Sequence, residues 1–288
     1  MYAVFLCLAL VIFPDAALRG AGLGLDICLR AVVPSLLPFM LLSSIAVESG
    51  WGLKLGRIFS PVLRPLLGID PAGSMCLITG LIGGYPCGAR TVASAVDSGL
   101  MSKANGEKAL AFSNNSGPLF IIGTAGANVY GSTRTGMMLY ICHALGAIAA
   151  ALIFGRGSRG SGAALARVKP PGAGVLFGKA ARESGAAIVS VCALIITFSA
   201  VIEALRLSRF PFLVGMVEVS RGVQELGRFG PAALPLSAAY LSWGGLSVHF
   251  QTEAVAPGLS KRYYYIGKII SSLAAGLACI VMQRFGII

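Results

Sequence analysis

Apolar residues run along this chain in blocks long enough to cross a bilayer, and several blocks are interrupted from within. The main runs are residues 25–47, 71–99, 104–127, 137–154, 186–205, 231–258 and 263–282. About 20 apolar residues in helix span the hydrocarbon core. The pattern therefore predicts an all-helical polytopic membrane protein. Residues 1–20 lack a basic leading region and a clear small-residue cleavage site, so they read as a short first membrane helix rather than a signal peptide. Pro34 and Pro38 predict a kink in the run that follows. In residues 51–68, Lys54, Arg57 and Arg64 alternate with Leu55, Ile58, Phe59, Val62 and Leu66. That reads as an interfacial helix, with an ordinary basic loop as the plainer alternative.

The interruptions organise the rest. Gly83-Gly84-Tyr85-Pro86-Cys87-Gly88 lies in the middle of one apolar run, Asn114-Asn115-Ser116-Gly117-Pro118 in the next, and Trp243-Gly244-Gly245 in a third. Broken backbone exposes N–H and C=O groups that lipid cannot satisfy. It persists at membrane depth only inside protein or along a cavity. Half-helices of about 12 residues reach only partway across a ~30 Å core. Residues 71–99 are thus expected to form a re-entrant hairpin with its tip at residues 84–88, a single broken span being the alternative. Span, short segment, glycine-broken segment, basic connection and helix recur in the second half, with Gly244-Gly245 answering Gly83-Gly84 and Lys261 answering Lys103. This weak repeat divides one transmembrane domain, 1–288, into about 25–155 and about 183–286, joined by the linker 156–182. If residues 231–258 are also a re-entrant hairpin the halves are inverted, and if both are spans they are parallel. Residues 80–93 and 240–254 are expected to meet.

Composition sharpens this reading. Hydrophobic residues make up 56% and charged residues 12% of the chain. A soluble domain carries about 25% charged residues. The 38 glycines suit membrane helices. The net charge of +12 sits between apolar runs rather than along one stripe. Anionic lipid is therefore the expected partner, and nucleic acid is not. The linker carries six basic residues and no acid, which places it in the cytoplasm by the positive-inside rule. Seven cysteines include no CxxC pair, so neither a metal site nor a disulfide framework is expected. No P-loop, G-x-S-x-G or HExxH pattern suggests an enzyme, and no cofactor is expected.

Several polar residues could carry function. Arg90 follows the first break, where a guanidinium and half-helix N–H groups could hold an anion. Pairing with Asp97 or snorkelling to the interface is the alternative. Asn114, Asn115 and Ser116 could contact a solute, cap the broken helix, or do both. Glu218 could bind a cation, a proton or a solute donor, or it could pair with Arg221. Ser247, His249, Gln251 and Thr252 follow Gly245. Gln251 and Thr252 suit neutral polar contacts, His249 could serve proton coupling or be internally hydrogen-bonded, and His143 reads as structural. With Gly84, Tyr85, Pro86, Gly88 and Gly117 at the breaks, these residues form the candidate substrate site. Arg90, Asn114 and Asn115 are expected to line one cavity.

The motifs GGYPCGAR, AFSNNSGPLFIIGT, VEVSRG and GGLSVHFQ, in this order, resemble the sporulation integral membrane protein family of the YlbJ/SpoVV type, part of the nucleoside-recognition or Gate-domain membrane proteins. The resemblance runs from about residue 27 to 282. It implies a fold related to concentrative nucleoside transporters, with hairpins and inverted repeats. It also implies transport of dipicolinic acid, a flat dianion, across the outer forespore membrane of a spore-forming bacterium. Arg221 stands where such relatives usually carry a small or polar residue. A nucleoside or other small-metabolite transporter and a non-transporting scaffold of spore maturation remain open. So do a homo-oligomer and other sporulation membrane proteins as partners.

Overall fold

The structure, a computed structural model, describes residues 7–8, 10–157 and 172–287. The described part is helical. Four helices are long and apolar enough to cross a membrane, five if the bent pair described below counts as one. The chain is an integral, polytopic α-helical membrane protein.

Helix α1, Pro14–Glu48, is continuous over 35 residues. Ahead of it, residues 7–8 and 10–12 are helical and a bend at Phe13 sets them off, so the expected short first helix falls partly within the described residues. Helix α1 itself starts at Pro14 and runs through the 25–47 span. It accommodates Pro34 by winding as a π-helix over Cys28–Val32, where Val33 N–H reaches back to Cys28 O. Proline lacks the N–H that an α-turn needs, and a local π-turn is one way around that loss.

Helix α2, Trp51–Leu67, is amphipathic and starts and stops at left-handed glycines, Gly50 (φ 75°) and Gly68 (φ 72°). Trp51, Ile58, Val62 and Leu66 are exposed. It meets α3, Pro71–Gly83, at 100°. Asp70 caps α3 by accepting from Gly73 N at 2.8 Å.

Helix α3 folds back on α4, Cys87–Asp97, through Gly84 (φ 74°). The two pack so closely around the backbone of Ser113 that a Cβ at Gly80 or Gly88 would overlap Ser113 O. Gly88→Ala is accordingly expected to destabilise the protein by roughly 1–3 kcal/mol, the usual cost of overpacking. A drop in melting temperature of the detergent-solubilised variant checks it.

Next come α5, Lys103–Ser113, a break at residues 114–118, and a π-wound segment, Leu119–Val129. Then follow α6, Thr133–Phe154, and the 32-residue α7, Ala173–Ala204. Residues 158–171 of the expected 156–182 linker lie outside the described residues, and residues 173–182 are not linker but the first turns of α7.

The second half departs from expectation. The fold-back lies at Glu218, between α8, Pro211–Val217, and α9, Val219–Gly227. It is held by Gly215 and Gly222, which touch backbone to backbone. Residues 231–258 do not form a hairpin. Helices α10, Leu234–Trp243, and α11, Gly245–Val255, run in file along α12, Arg262–Arg284. Pro231 O accepts from Gln283, Ala239 O from Ser272 at 2.9 Å, and Ser242 O from Lys268 at 3.0 Å, and His249 meets Tyr264 at 2.9 Å. Gly244 and Gly245, at φ 91° and 76°, kink this passage without reversing it.

The molecule has two ends. At one, Lys179 pairs with Glu48 and Ser260 N donates to Glu107. At the other, Arg134 donates to Ile287 O and Ser208 to Glu203. The α3/α4 hairpin opens to the first end, which also carries the linker. The α8/α9 hairpin opens to the second.

Candidate functional site

The four chain breaks converge in pairs. A Cβ on Gly84, at the first hairpin tip, would stand 2.9 Å from Gly117 N in the 114–118 break. One on Gly245 would stand 3.0 Å from Val217 O at the second tip. Tyr85 OH then joins the two pairs by donating to Leu241 O at 3.2 Å. The expected meeting of residues 80–93 with 240–254 is therefore present.

Between the breaks lies a chamber of about 30 Å³ lined by Tyr85, Ser116, Glu218, Ser220 and Gln251 against Val191 and Leu36. Its polar groups come from all four breaks or from the turn after them. Glu218 is the N-cap of α9 and accepts from Arg221 N at 2.7 Å through Oε2. Its Oε1 is buried without a hydrogen-bond partner, as is Gln251 Oε1. Such atoms are rare, since an unsatisfied buried acceptor costs about 1–3 kcal/mol.

Behind Tyr85 sits a residue that the sequence reading passed over. Lys268, on α12, is 1% exposed. Its Nζ donates to Tyr85 OH at 2.8 Å and Ser242 O at 3.0 Å, and it lies 4.7 Å from the centre of the Tyr85 ring. No acidic group among the described residues pairs with it. A charged side chain inside a membrane segment is a functional candidate by default. The signal was in the sequence, as one lysine inside the apolar run YYYIGKIISS.

Two histidines extend this network. His143 Nε2 accepts from Ser116 N at 3.0 Å, which leaves Nδ1 as the donor to Ser242 Oγ at 2.8 Å. His143 thus fixes the 114–118 break against α10. His249 Nδ1 meets Tyr264 OH, and its Nε2 has no partner. Asn114 Nδ2 donates to Thr252 Oγ1 at 2.7 Å, and its Oδ1 is unpartnered. Asn115 Nδ2 donates to Phe112 O at 2.7 Å. Ser247 Oγ is also buried without a partner.

Arg90 stands apart from this cluster. It donates to Glu183 of α7 at 2.7 Å rather than to Asp97, and it lines a separate cavity of about 510 Å³ at the linker end. Asn114 and Asn115 line neither that cavity nor the chamber, which takes only Ser116 from their break, so the expected shared Arg90–Asn114–Asn115 cavity is not formed. The cause is register. Arg90 lies one turn past the tip on α4, outward from the chamber. Arg221 does not pair with Glu218 through its side chain. It reaches Glu203 of α7 at 2.6 Å and Glu225 at 3.5 Å.

Residues 29–157 match the family model of the Gate domain, described as nucleoside recognition. The chain carries this match over a little under half of its length. It is also 30% identical over 151 residues to the sporulation integral membrane protein YlbJ of Bacillus subtilis strain 168. That stretch is 52% of this chain and 37% of the relative, so the chain matches well under half of that protein's length. No solved structure matches the chain. Within the Gate region lie the first hairpin, the 114–118 break and His143. Glu218 and Gln251, which line the chamber, and Lys268, which sits behind Tyr85, lie beyond it.

Proposed function

We propose that this protein is a transporter that carries a small polar solute through the central chamber without chemical change to it. The observation that carries the reading is the convergence of both hairpin tips and both interrupted passages on one chamber with unpartnered carbonyl and carboxylate oxygens. Interrupted helices that meet around such a site are the usual construction of secondary transporters. The opposite openings of the two hairpins support two inverted halves, as the resemblance to concentrative nucleoside transporters implies. At about 30 Å³ the chamber holds roughly one water. It must widen to admit solute, and the two hairpin tips form part of its wall.

The solute we favour is dipicolinic acid, carried across the outer forespore membrane during sporulation. The likeness to YlbJ, a sporulation integral membrane protein, supports the sporulation setting, and the Lys268 amine, one hydrogen bond behind the chamber wall, supports an anionic solute. Glu218 Oε1 favours a second reading, because a bare carboxylate oxygen suits a solute with hydroxyl or amino donors, such as a nucleoside. Uptake of labelled dipicolinate and of labelled nucleoside into proteoliposomes of the purified protein tests both. Saturable dipicolinate uptake, absent from empty liposomes, is the expected result. Nucleoside uptake alone would overturn the anionic assignment, and uptake of neither would overturn transport of these solutes.

A further inference from the structure

Three cavities lie in file along one seam. On α1, residues 43–48 line the 510 Å³ cavity, Val32 and Leu36 line the chamber, and Leu23 lines a third cavity of about 450 Å³. On α7 the same order recurs, with Glu183 in the first, Val191 and Ile195 in the chamber, and Glu203 in the third. Glu183 and Glu203 stand twenty positions apart on one unbroken helix. At 1.5 Å per residue that is about 30 Å, the thickness of a hydrocarbon core.

The hairpins divide this seam between them. Tyr85 at the first tip faces the chamber, and Cys87, Arg90 and Ser94 line the cavity at the linker end. Glu218 and Ser220 at the second tip face the chamber, and Arg221, Gln224 and Arg228 line the cavity at the far end. Each hairpin is tied to α7 by one arginine just past its tip. Arg90 holds Glu183 at 2.7 Å, beside Lys179, which lies 3.9 Å from the same glutamate. Arg221, with its side chain 4% exposed, holds Glu203 at 2.6 Å.

Resting on the transport reading above, we propose that the 510 Å³ and 450 Å³ cavities are the two mouths of the solute path, and that Arg90–Glu183 and Arg221–Glu203 are the latches that close the chamber to each. Both latches are formed here, and the chamber is small, as an occluded state requires. Each latch joins a hairpin to the same rigid helix, so parting one pair frees one hairpin and leaves the other held. The mouth at the linker end carries Lys179 and Arg90 against Glu48, Asp97 and Glu183. The far mouth carries Arg209, Arg221 and Arg228 against Glu203 and Glu225. Neither mouth is lined by one sign of charge alone, so selection of the solute is assigned to the chamber.

Accessibility of the chamber tests the latches independently of the solute. A Ser116→Cys reporter in sealed vesicles is exposed to an impermeant maleimide on one face at a time. The same variant backgrounds without the reporter account for the native cysteines. Glu183→Gln should speed labelling several-fold from the linker face only, and Glu203→Gln from the opposite face only. Arg90→Gln breaks the first pair from the hairpin side, should Glu183→Gln fail to fold by its melting curve. The exchanged pair, Arg90→Glu with Glu183→Arg, should return labelling towards the parent rate. Equal acceleration from both faces, or none in any variant, would overturn the latches. Side-selective labelling together with a failure to take up any solute would keep the gated mouths and remove transport. Uptake together with face-blind labelling would do the reverse.

Discussion

Lys268→Met is expected to lower the affinity for dipicolinate by about 100-fold, or about 2.7 kcal/mol, in a protein that melts no lower than the wild type. Nζ of Lys268 has two neutral acceptors, Tyr85 OH and Ser242 O, and no acidic partner among the described residues. An ionised side chain at membrane depth costs about 2.5–3.5 kcal/mol on insertion scales. Methionine keeps the unbranched length and removes that cost. Ser242 O loses a donor, which offsets part of the gain, while Tyr85 OH keeps its own bond to Leu241 O. Stability should therefore hold or rise while function is lost. A residue kept only for packing would give the opposite result. Calorimetric titration with dipicolinate and a melting curve on the same sample decide it, and wild-type affinity in a folded Lys268→Met would refute the role.

Substitution of Glu218 should separate cap from chamber. Glu218→Ala removes the acceptor for Arg221 N and should cost about 0.5–2 kcal/mol, as N-cap truncations do. Glu218→Gln keeps a carbonyl oxygen for the cap and the same volume, but replaces the carboxylate that faces the chamber. If Oε1 accepts from a solute donor as an anion, Glu218→Gln weakens nucleoside binding by roughly tenfold while the unfolding free energy stays within about 1 kcal/mol of the parent. If the chamber instead takes a dianion, the same change removes a repulsive charge and dipicolinate binds as well or better. Parallel titrations with the two ligands read this out, and equal losses for both would show Glu218 to be structural only.

Much of this arrangement was legible because glycine, proline and asparagine clustered within a few positions inside an apolar run favour a parted backbone, whereas a single one, such as Pro38 in α1, is absorbed. The breaks at residues 84–88, 114–118 and 244–245 were each visible for that reason. The direction of the chain after a break was not, because a kink and a reversal use the same residues. Gly244 and Gly245 permit both, and packing along α12 selects the kink. The reversal at Glu218 lacks a Gly-Gly or Gly-Pro signature. Its trace is the pair Gly215 and Gly222, seven positions apart, which lets two short helices touch. Arg90 was visible as an intramembrane charge, but Glu183 lies 93 positions away, beyond what local spacing reveals. Lys268 was hidden by its solitude, since one lysine near a span's start reads as a headgroup anchor.

Helix α2 has a mechanical consequence. It lies at 100° to α3 and is joined to it by Gly68, Ile69 and Asp70 alone. Gly56 rests on Pro71 and Met75, so the elbow is packed as well as short. Its outer face presents Ile58, Val62 and Leu66, and Lys54, Arg57 and Arg64 belong to the same helix. Such a helix rides at the lipid boundary. Lateral tension or a change in bilayer thickness that shifts α2 would pull directly on the root of the first hairpin, making the physical state of the surrounding lipid an input to how readily that hairpin swings.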